Sequence, residues 1–216
     1  SKLEYPLLLE EKVNIEIEIS VIAARNTAGD IQCFPPVAME FNSEANLVEF
    51  IYQPSGLTQA QEEKAISLAR NVANKFGIVG ILAVEMFLDK EGNVLINECA
   101  PRPHNSGHIS IEASTVSQYD QHLRCILGLP LVKPEIKSHA IMVNILGDPD
   151  TKVGPVIYDG LENLLAQDQT YVHLYGKEIV KPFRKMGHIT LCGNNVSELR
   201  SKAKEILNNI KAYSHE

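Results

Sequence analysis

Glu85 and Glu98 lie in two apolar runs, Gly80 to Leu88 and Val94 to Cys99, joined by Asp89-Lys90-Glu91-Gly92-Asn93. That pattern reads as a β-hairpin. If Lys90 to Asn93 form the loop, Asp89 pairs with Val94, and the same register sets Glu85 directly opposite Glu98. Ile81, Ala83, Phe87, Val94 and Ile96 then share the carboxylate face, while Leu82, Val84, Met86, Leu88 and Leu95 form an equally apolar opposite face. Both carboxylates are therefore expected inside a largely buried sheet. At roughly 5 Å and an effective dielectric near 20, their repulsion is about 3 kcal/mol before any desolvation. A shared proton or a nearby arginine could offset it. So could Mg²⁺, since two hard oxygen ligands beside Asn97 leave room for water and phosphate oxygens. The bland alternative is one solvent-facing glutamate, or a register shifted by one residue.

Directly downstream runs Asn97-Glu98-Cys99-Ala100-Pro101-Arg102-Pro103-His104-Asn105-Ser106-Gly107-His108. An arginine between two prolines has a stiffened backbone, and its planar fork suits bidentate phosphate or carboxylate recognition. Asn105, Ser106 and Gly107 offer donors that can wrap an anion. Lys177, Lys181, Arg184, Lys185 and His188 form a second cationic cluster, read either as a solvated basic loop or as a site for a phosphate-bearing substrate.

The elements that must position these groups follow from periodicity. Leu7 to Val13 and Ile15 to Ala24 are β-rich. The second alternates, with Ile15, Ile17, Ile19 and Val21 on one face and Glu16, Glu18 and Ser20 on the other. A turn at residues 26–30 leads into a strand over Ile31 to Phe34, which Pro35-Pro36 confines to an edge or ends. Leu47 to Tyr52 is a further strand. Thr58 and Gln61 make a capping box for a helix that carries Ile66, Ala69, Ala73 and Phe76 at helical spacing and stops at Gly77. Residues 100 to 110 read as a loop and Ser117 to Leu127 as a helix. Short strands are expected near His139 to Leu146, Tyr171 to Tyr175 and His188 to Leu191, then a closing helix over Val196 to Ala212 capped by Asn195. The fold class is α+β, an antiparallel sheet with helices followed by a smaller α+β unit.

The chain has 216 residues and a net charge of −7, from 20 basic and 27 acidic side chains. With no uninterrupted basic run, nucleic acid and anionic membrane are poor partners, and small-molecule chemistry is favoured. No apolar run approaches the roughly 18 residues of a membrane span, and the start lacks signal-peptide character, so a cytoplasmic location is expected. Cys33, Cys99, Cys125 and Cys192 show no C-x-x-C pairing and read as free thiols.

The string Asn97 to His108, with Leu9-Glu10-Glu11, Glu18-Ile19-Ser20-Val21 and Arg184-Lys185-Met186-Gly187-His188, resembles the 5-(carboxyamino)imidazole ribonucleotide synthase family of ATP-grasp enzymes. The resemblance runs in order over essentially the whole chain. It implies ATP-dependent carboxylation of 5-aminoimidazole ribonucleotide with bicarbonate, through carboxyphosphate, in purine biosynthesis. It implies that Glu10, Glu11, Lys12 and Val13 border the adenine and that Glu18 accepts from the ribose. It implies that Glu85 and Glu98 hold Mg²⁺ with Asn97 beside them and that Arg102 stabilises the transferring group. It implies too that Asn105, Ser106 and His108 shape the small-substrate site and that Lys177, Arg184 and Lys185 clamp the ribonucleotide phosphate. A homodimer, and coupling to the mutase that consumes the product, are implied likewise.

Phe41 departs from the family, which commonly has histidine there; phenylalanine cannot hydrogen-bond a phosphate. The resemblance assigns residues 1–130 to the C-terminal lobe of an ATP-grasp domain and 131–216 to the family's C-terminal domain. The family's N-terminal domain and glycine-rich-loop lobe have no counterpart in the sequence. The alternatives are another ATP-grasp ribonucleotide ligase, such as the formate-dependent glycinamide ribonucleotide transformylase, and a non-catalytic nucleotide-binding or assembly module. With no lobe to cover the phosphates, the purified 216-residue chain is expected to show negligible ATP turnover. Steady turnover that Glu98→Gln abolishes would overturn that expectation.

Overall fold

The structure, a computed structural model, describes residues 8–42 and 47–215. Its first strand, β1 (Ile15–Arg25), is followed by β2 (Ile31–Cys33), β3 (Val37–Asn42), β4 (Leu47–Gln53), helix α1 (Gln59–Phe76), β5 (Gly80–Asp89) and β6 (Val94–Ala100). A 3₁₀ turn (Asn105–Gly107), α2 (Ser110–Ala113) and α3 (Gln118–Ile126) come next. The chain then forms β7 (His139–Leu146), β8 (Gly154–Pro155), β9 (Ile157–Asp159), α4 (Leu161–Leu165), β10 (Thr170–Leu174), β11 (Ile179–Val180), β12 (Lys185–Gly193), α5 (Val196–Asn209) and β13 (Lys211–Tyr213).

The main sheet has nine strands in the order β10-β12-β7-β4-β3-β1-β5-β6, with β2 paired to β1. Every pairing between its strands is antiparallel. Register shows which helices share a face. Ile19 lies opposite Ala38, Ala38 opposite Tyr52, and Tyr52 opposite Ile141. Ile19 and Val21 pack against Ala65, Ala69 and Ala73 of α1, and Ile141 and Val143 pack against Leu199, Ala203 and Ile206 of α5. Both long helices thus cover one side. The other side is covered by α2, through Ile109 and Ala113 against Val37, Met39, Ile51 and Met142, and by α3, through Cys125 against Ile22, Ala24, Ile81 and Ala83.

Local chemistry explains the boundaries. Thr58 and Gln61 complete the capping box of α1, and Gly77 ends it in the left-handed conformation that glycine adopts without steric cost. Asn195 caps α5 through Ser197 N and Glu198 N.

Several expectations are corrected. Residues 8–13 form no strand; Leu7 lies outside the described residues. Pro35-Pro36 ends β2, but the chain re-enters the same sheet at once as β3, through Val37↔Ser20. The loop at 100 to 110 contains a 3₁₀ turn and the start of α2. The closing helix stops at Asn209, and residues 211–213 instead pair with β9. Among the described residues no helix is long and apolar enough to cross a membrane, and all four cysteines are free.

Ala65, Ala69 and Ala73 are fully buried, so α1 can sit close to β1 and β5 only because its inner face is methyl-sized. Ala69→Leu should overpack this interface and lower stability by about 1–3 kcal/mol, read as a fall in the urea midpoint without a change in slope.

Candidate active site on the helix-bordered sheet face

The β5–β6 turn is tied by Asp89, whose carboxylate accepts from Glu91 N (3.0 Å), Asn93 N (2.7 Å) and Asn93 Nδ2 (2.9 Å). Asp89 is the last residue of β5 and pairs with Ile15 of β1, but the ladder with β6 starts one residue further in, with Leu88↔Val94 and Phe87↔Leu95. A β-bulge between Met86 and Glu85 then absorbs one extra residue, Asn97, and places Glu85 opposite Glu98. The expected pair is present, by a different register. Val94 joins Leu88 against α1, and Leu95 takes its place opposite Phe87. The pair is also less buried than expected, because β6 is an edge strand. Glu98 is exposed, and the Glu85 side chain keeps 15% of its surface.

A histidine, rather than an arginine, answers Glu85. His104 Nε2 stands 3.0 Å from Glu85 Oε1. His104 Nδ1 accepts from Ser106 N at 3.3 Å and lies 2.9 Å from Ser106 Oγ, so the ring proton sits on Nε2, facing the carboxylate. Ser106 Oγ in turn meets Ser20 Oγ at 2.8 Å, which ties the loop to β1. Glu18, two residues before Ser20 on the same face, has its carboxyl raised by burial and then by the charges of Glu85 and Glu98. Three carboxylates thus share one field.

The cations converge on it from the far end of the chain. Burial lowers the Lys185 ammonium; the charge of Glu85 opposes that shift, and those of Arg102 and Lys177 reinforce it. Lys177 Nζ donates to Lys185 O and lies 5.3 Å from the centre of the Tyr175 ring. Burial and then Arg184 lower its ammonium. Arg184 donates to Ile179 O. Arg102 is exposed and donates to Pro103 O at 3.2 Å. Asn105 is half-buried, and its Nδ2 is enclosed with no partner among the described residues. Glu10, Glu11, Lys12 and Val13 border a groove of about 290 Å³ with Ile15, Phe87, Leu95, Ile96 and Asn97. Phe41 packs beside the Val37–Met39 cluster.

Two family models match the chain. The ATP-grasp domain matches residues 1–119, and the phosphoribosylaminoimidazole carboxylase C-terminal domain matches residues 140–202. The chain belongs to the ATP-grasp family. It is 41% identical over 183 residues to the N5-carboxyaminoimidazole ribonucleotide synthase of Bacillus subtilis, covering 85% of this chain and 46% of that protein. The structure of the Thermotoga maritima N5-carboxyaminoimidazole ribonucleotide synthetase superposes with a TM-score of 0.87 at 39% identity, covering 95% of this chain and 55% of that one. That of the Aspergillus clavatus synthase in complex with ADP and 5-aminoimidazole ribonucleotide gives 0.80 at 31% identity, over 91% and 52%. The chain thus spans about half the length of these relatives.

Within this ATP-grasp lobe and its continuation, several contributors escaped the sequence reading. Ser20 and His104 lay in plain view beside Glu18 and Arg102, but nothing in the sequence ties them to Glu85. Gln118 looks like an ordinary polar residue at a helix start, yet it is fully buried. Three imidazoles stack in a column, with His188 4.6 Å from His108 and 4.5 Å from His173, each pair within 16° of parallel. His173 Nε2 pairs with Glu112 Oε1 at 2.7 Å, and His188 Nδ1 meets the Tyr175 hydroxyl at 3.0 Å. The column joins the signature loop to β10 and β12.

Burial and then the neighbouring His108 and His173 charges push His188 down to about 3, and burial with its cationic neighbours takes His108 to about 4. Both folded values lie below that of a free imidazole, so the unfolded chain binds more protons between them. The stack's stability is therefore complete above about pH 6.5 and is lost as pH falls toward 3–4. The melting temperature of the wild type should fall more steeply from pH 6.5 to 5 than that of His188→Gln; parallel curves would refute this.

Proposed function

We propose that this chain forms one wall of the active site of an ATP-dependent ligase that carboxylates 5-aminoimidazole ribonucleotide with bicarbonate in purine biosynthesis. The observation that carries the proposal is one chain of electrostatic neighbours, in which Glu18 feels Glu85 and Glu98 while Lys185 feels Glu85, Arg102 and Lys177, in a chain 31–39% identical to solved synthases of that name. A bicarbonate oxygen attacks the γ-phosphorus of ATP and ADP departs, leaving carboxyphosphate. The exocyclic amine then attacks its carbonyl carbon and phosphate leaves. Such steps need positioning and neutralised charge more than covalent help from the protein.

Glu85 and Glu98 fit Mg²⁺. They offer hard oxygens on paired positions, one Glu85 oxygen is already taken by His104, and among the described residues no group of three or more His, Cys, Asp or Glu forms a metal cage. Two carboxylates completed by phosphate and water is the usual way Mg²⁺ is held, and when bound it neutralises charge on the phosphates. Glu10 to Val13 border the adenine, Glu18 accepts from the ribose hydroxyls and Asn97 stands beside the phosphates. Arg102 stabilises the transferring group. Asn105, Ser106 and His108 shape the bicarbonate and amine site, while Lys177, Arg184 and Lys185 grip the ribonucleotide phosphate. In this reading residues 1–130 are the C-terminal lobe of the ATP-grasp domain and 131–216 the family's C-terminal domain, and the enzyme is a cytoplasmic homodimer that feeds a mutase.

The test is ADP release by the protein expressed from its complete reading frame, with each substrate omitted in turn. Turnover should require both bicarbonate and 5-aminoimidazole ribonucleotide. Arg102→Ala should lower kcat by about 10²–10³, whereas Arg184→Ala should raise the ribonucleotide KM with little change in kcat. ADP release indifferent to the ribonucleotide would end the proposal.

A further inference from the structure

We infer that Gln118 is a positioning residue that holds His108 in the tautomer carrying its proton on Nε2, so that the signature loop offers its ligand a donor at this ring. Gln118 Oε1 accepts from His104 N at 2.9 Å, and its Nε2 donates to His104 O at 2.8 Å. These two backbone contacts decide which end of the amide is which, because the reversed amide would oppose N–H to N–H and oxygen to oxygen. The same Nε2 stands 3.0 Å from His108 Nδ1. A donor faces that nitrogen, so Nδ1 is the lone pair and Nε2 bears the hydrogen. The Tyr119 hydroxyl, 3.0 Å from Nδ1, shares the lone pair, and burial raises its phenol, so it keeps its proton.

The surroundings are built for this amide. A Cβ at Gly107 would come within 2.4 Å of Gln118 Oε1 and 2.9 Å of its Nε2, so only glycine leaves room. Ser110 Oγ accepts from Gln118 N at 2.8 Å and donates to Gly107 O at 2.5 Å. Gln118, Ser110 and Ser106 are all at most 2% exposed. His108 itself is half-buried and held uncharged at neutral pH, chiefly by burial. A neutral ring has one donor and one acceptor, and anionic oxygens are recognised by the donor alone. The identity of the anion, phosphate or carboxylate, rests on the function proposed above; the tautomer does not.

The full chain labelled with ¹⁵N-histidine, with His108 assigned by the loss of its signals in His108→Gln, reports the tautomer through two-bond proton–nitrogen correlation spectra at neutral pH. Wild type should show Nε2 protonated and Nδ1 unprotonated. Tyr119→Phe should keep that pattern. In Gln118→Glu, whose carboxylate only accepts, the Nδ1 signal should shift to the protonated range. Protonated Nδ1 in wild type, an unchanged pattern in Gln118→Glu, or loss of the pattern in Tyr119→Phe would each overturn the assignment. Should Gln118→Glu not fold, the wild-type and Tyr119→Phe spectra decide. In the complete enzyme Gln118→Glu should raise the KM of bicarbonate or of the ribonucleotide by about tenfold, the worth of one charge-assisted hydrogen bond; both KM values unchanged would overturn the ligand-facing role. Wild-type enzyme that ignores the ribonucleotide would sink the proposed function and leave the spectra to judge the tautomer.

Discussion

Two carboxylates on adjacent strands need something to take up the field between them, and the site is organised around the group that does so. His104 lies 3.0 Å from Glu85, and its other nitrogen is held by Ser106, which reaches Ser20. One imidazole thereby ties an edge hairpin, a loop and a central strand together. It leaves Glu98 exposed and, among the described residues, one Glu85 oxygen without a partner, an arrangement suited to a hydrated cation and poorly suited to a permanently buried ion pair.

The second constraint is distance. β12 and β5 are five positions apart in the sheet order, roughly 24 Å if the strands lay flat at about 4.8 Å spacing. Yet Lys185 at the start of β12 feels Glu85 of β5, and His108 stacks 4.6 Å from His188. Sheet twist and a loop that reaches back across the face close that gap. The loop can do so because α2 and α3 seat it, with Gln118 binding the backbone of His104. The acidic and basic halves of the site therefore depend on helices that contribute few ligand-facing groups of their own.

Much of this was legible beforehand for local reasons. The caps of α1 and α5, the β5–β6 hairpin and the alternation of β1 all follow from neighbours in sequence. The Glu85–Glu98 pairing was reached through a register that the turn does not use; Asp89 shortens the ladder and the bulge at Asn97 restores the phase, two errors that cancel. What stayed hidden depends on partners far away. β3 follows a Pro-Pro pair that marks an ending, and it is a strand because β1 and β4 supply its ladder. Residues 8–13 have β-rich composition and no ladder. Lys211 to Tyr213 leave the helix because β9 offers them one.

By itself, the sequence determined which residues carry charge, where helices start and stop, and which strands alternate, because these follow from side-chain chemistry and contacts a few residues away. Its resemblance to a ligase family named the same carboxylates and cations. The tertiary structure alone decided that the sheet runs unbroken from β6 to β10, and that Arg102 and Lys177 share the field of one lysine. It alone decided that a histidine answers Glu85 and that a buried glutamine sets a ring's proton. Those facts concern distances between groups remote in sequence, and such distances exist only once the sheet's register, twist and helix packing have been chosen together.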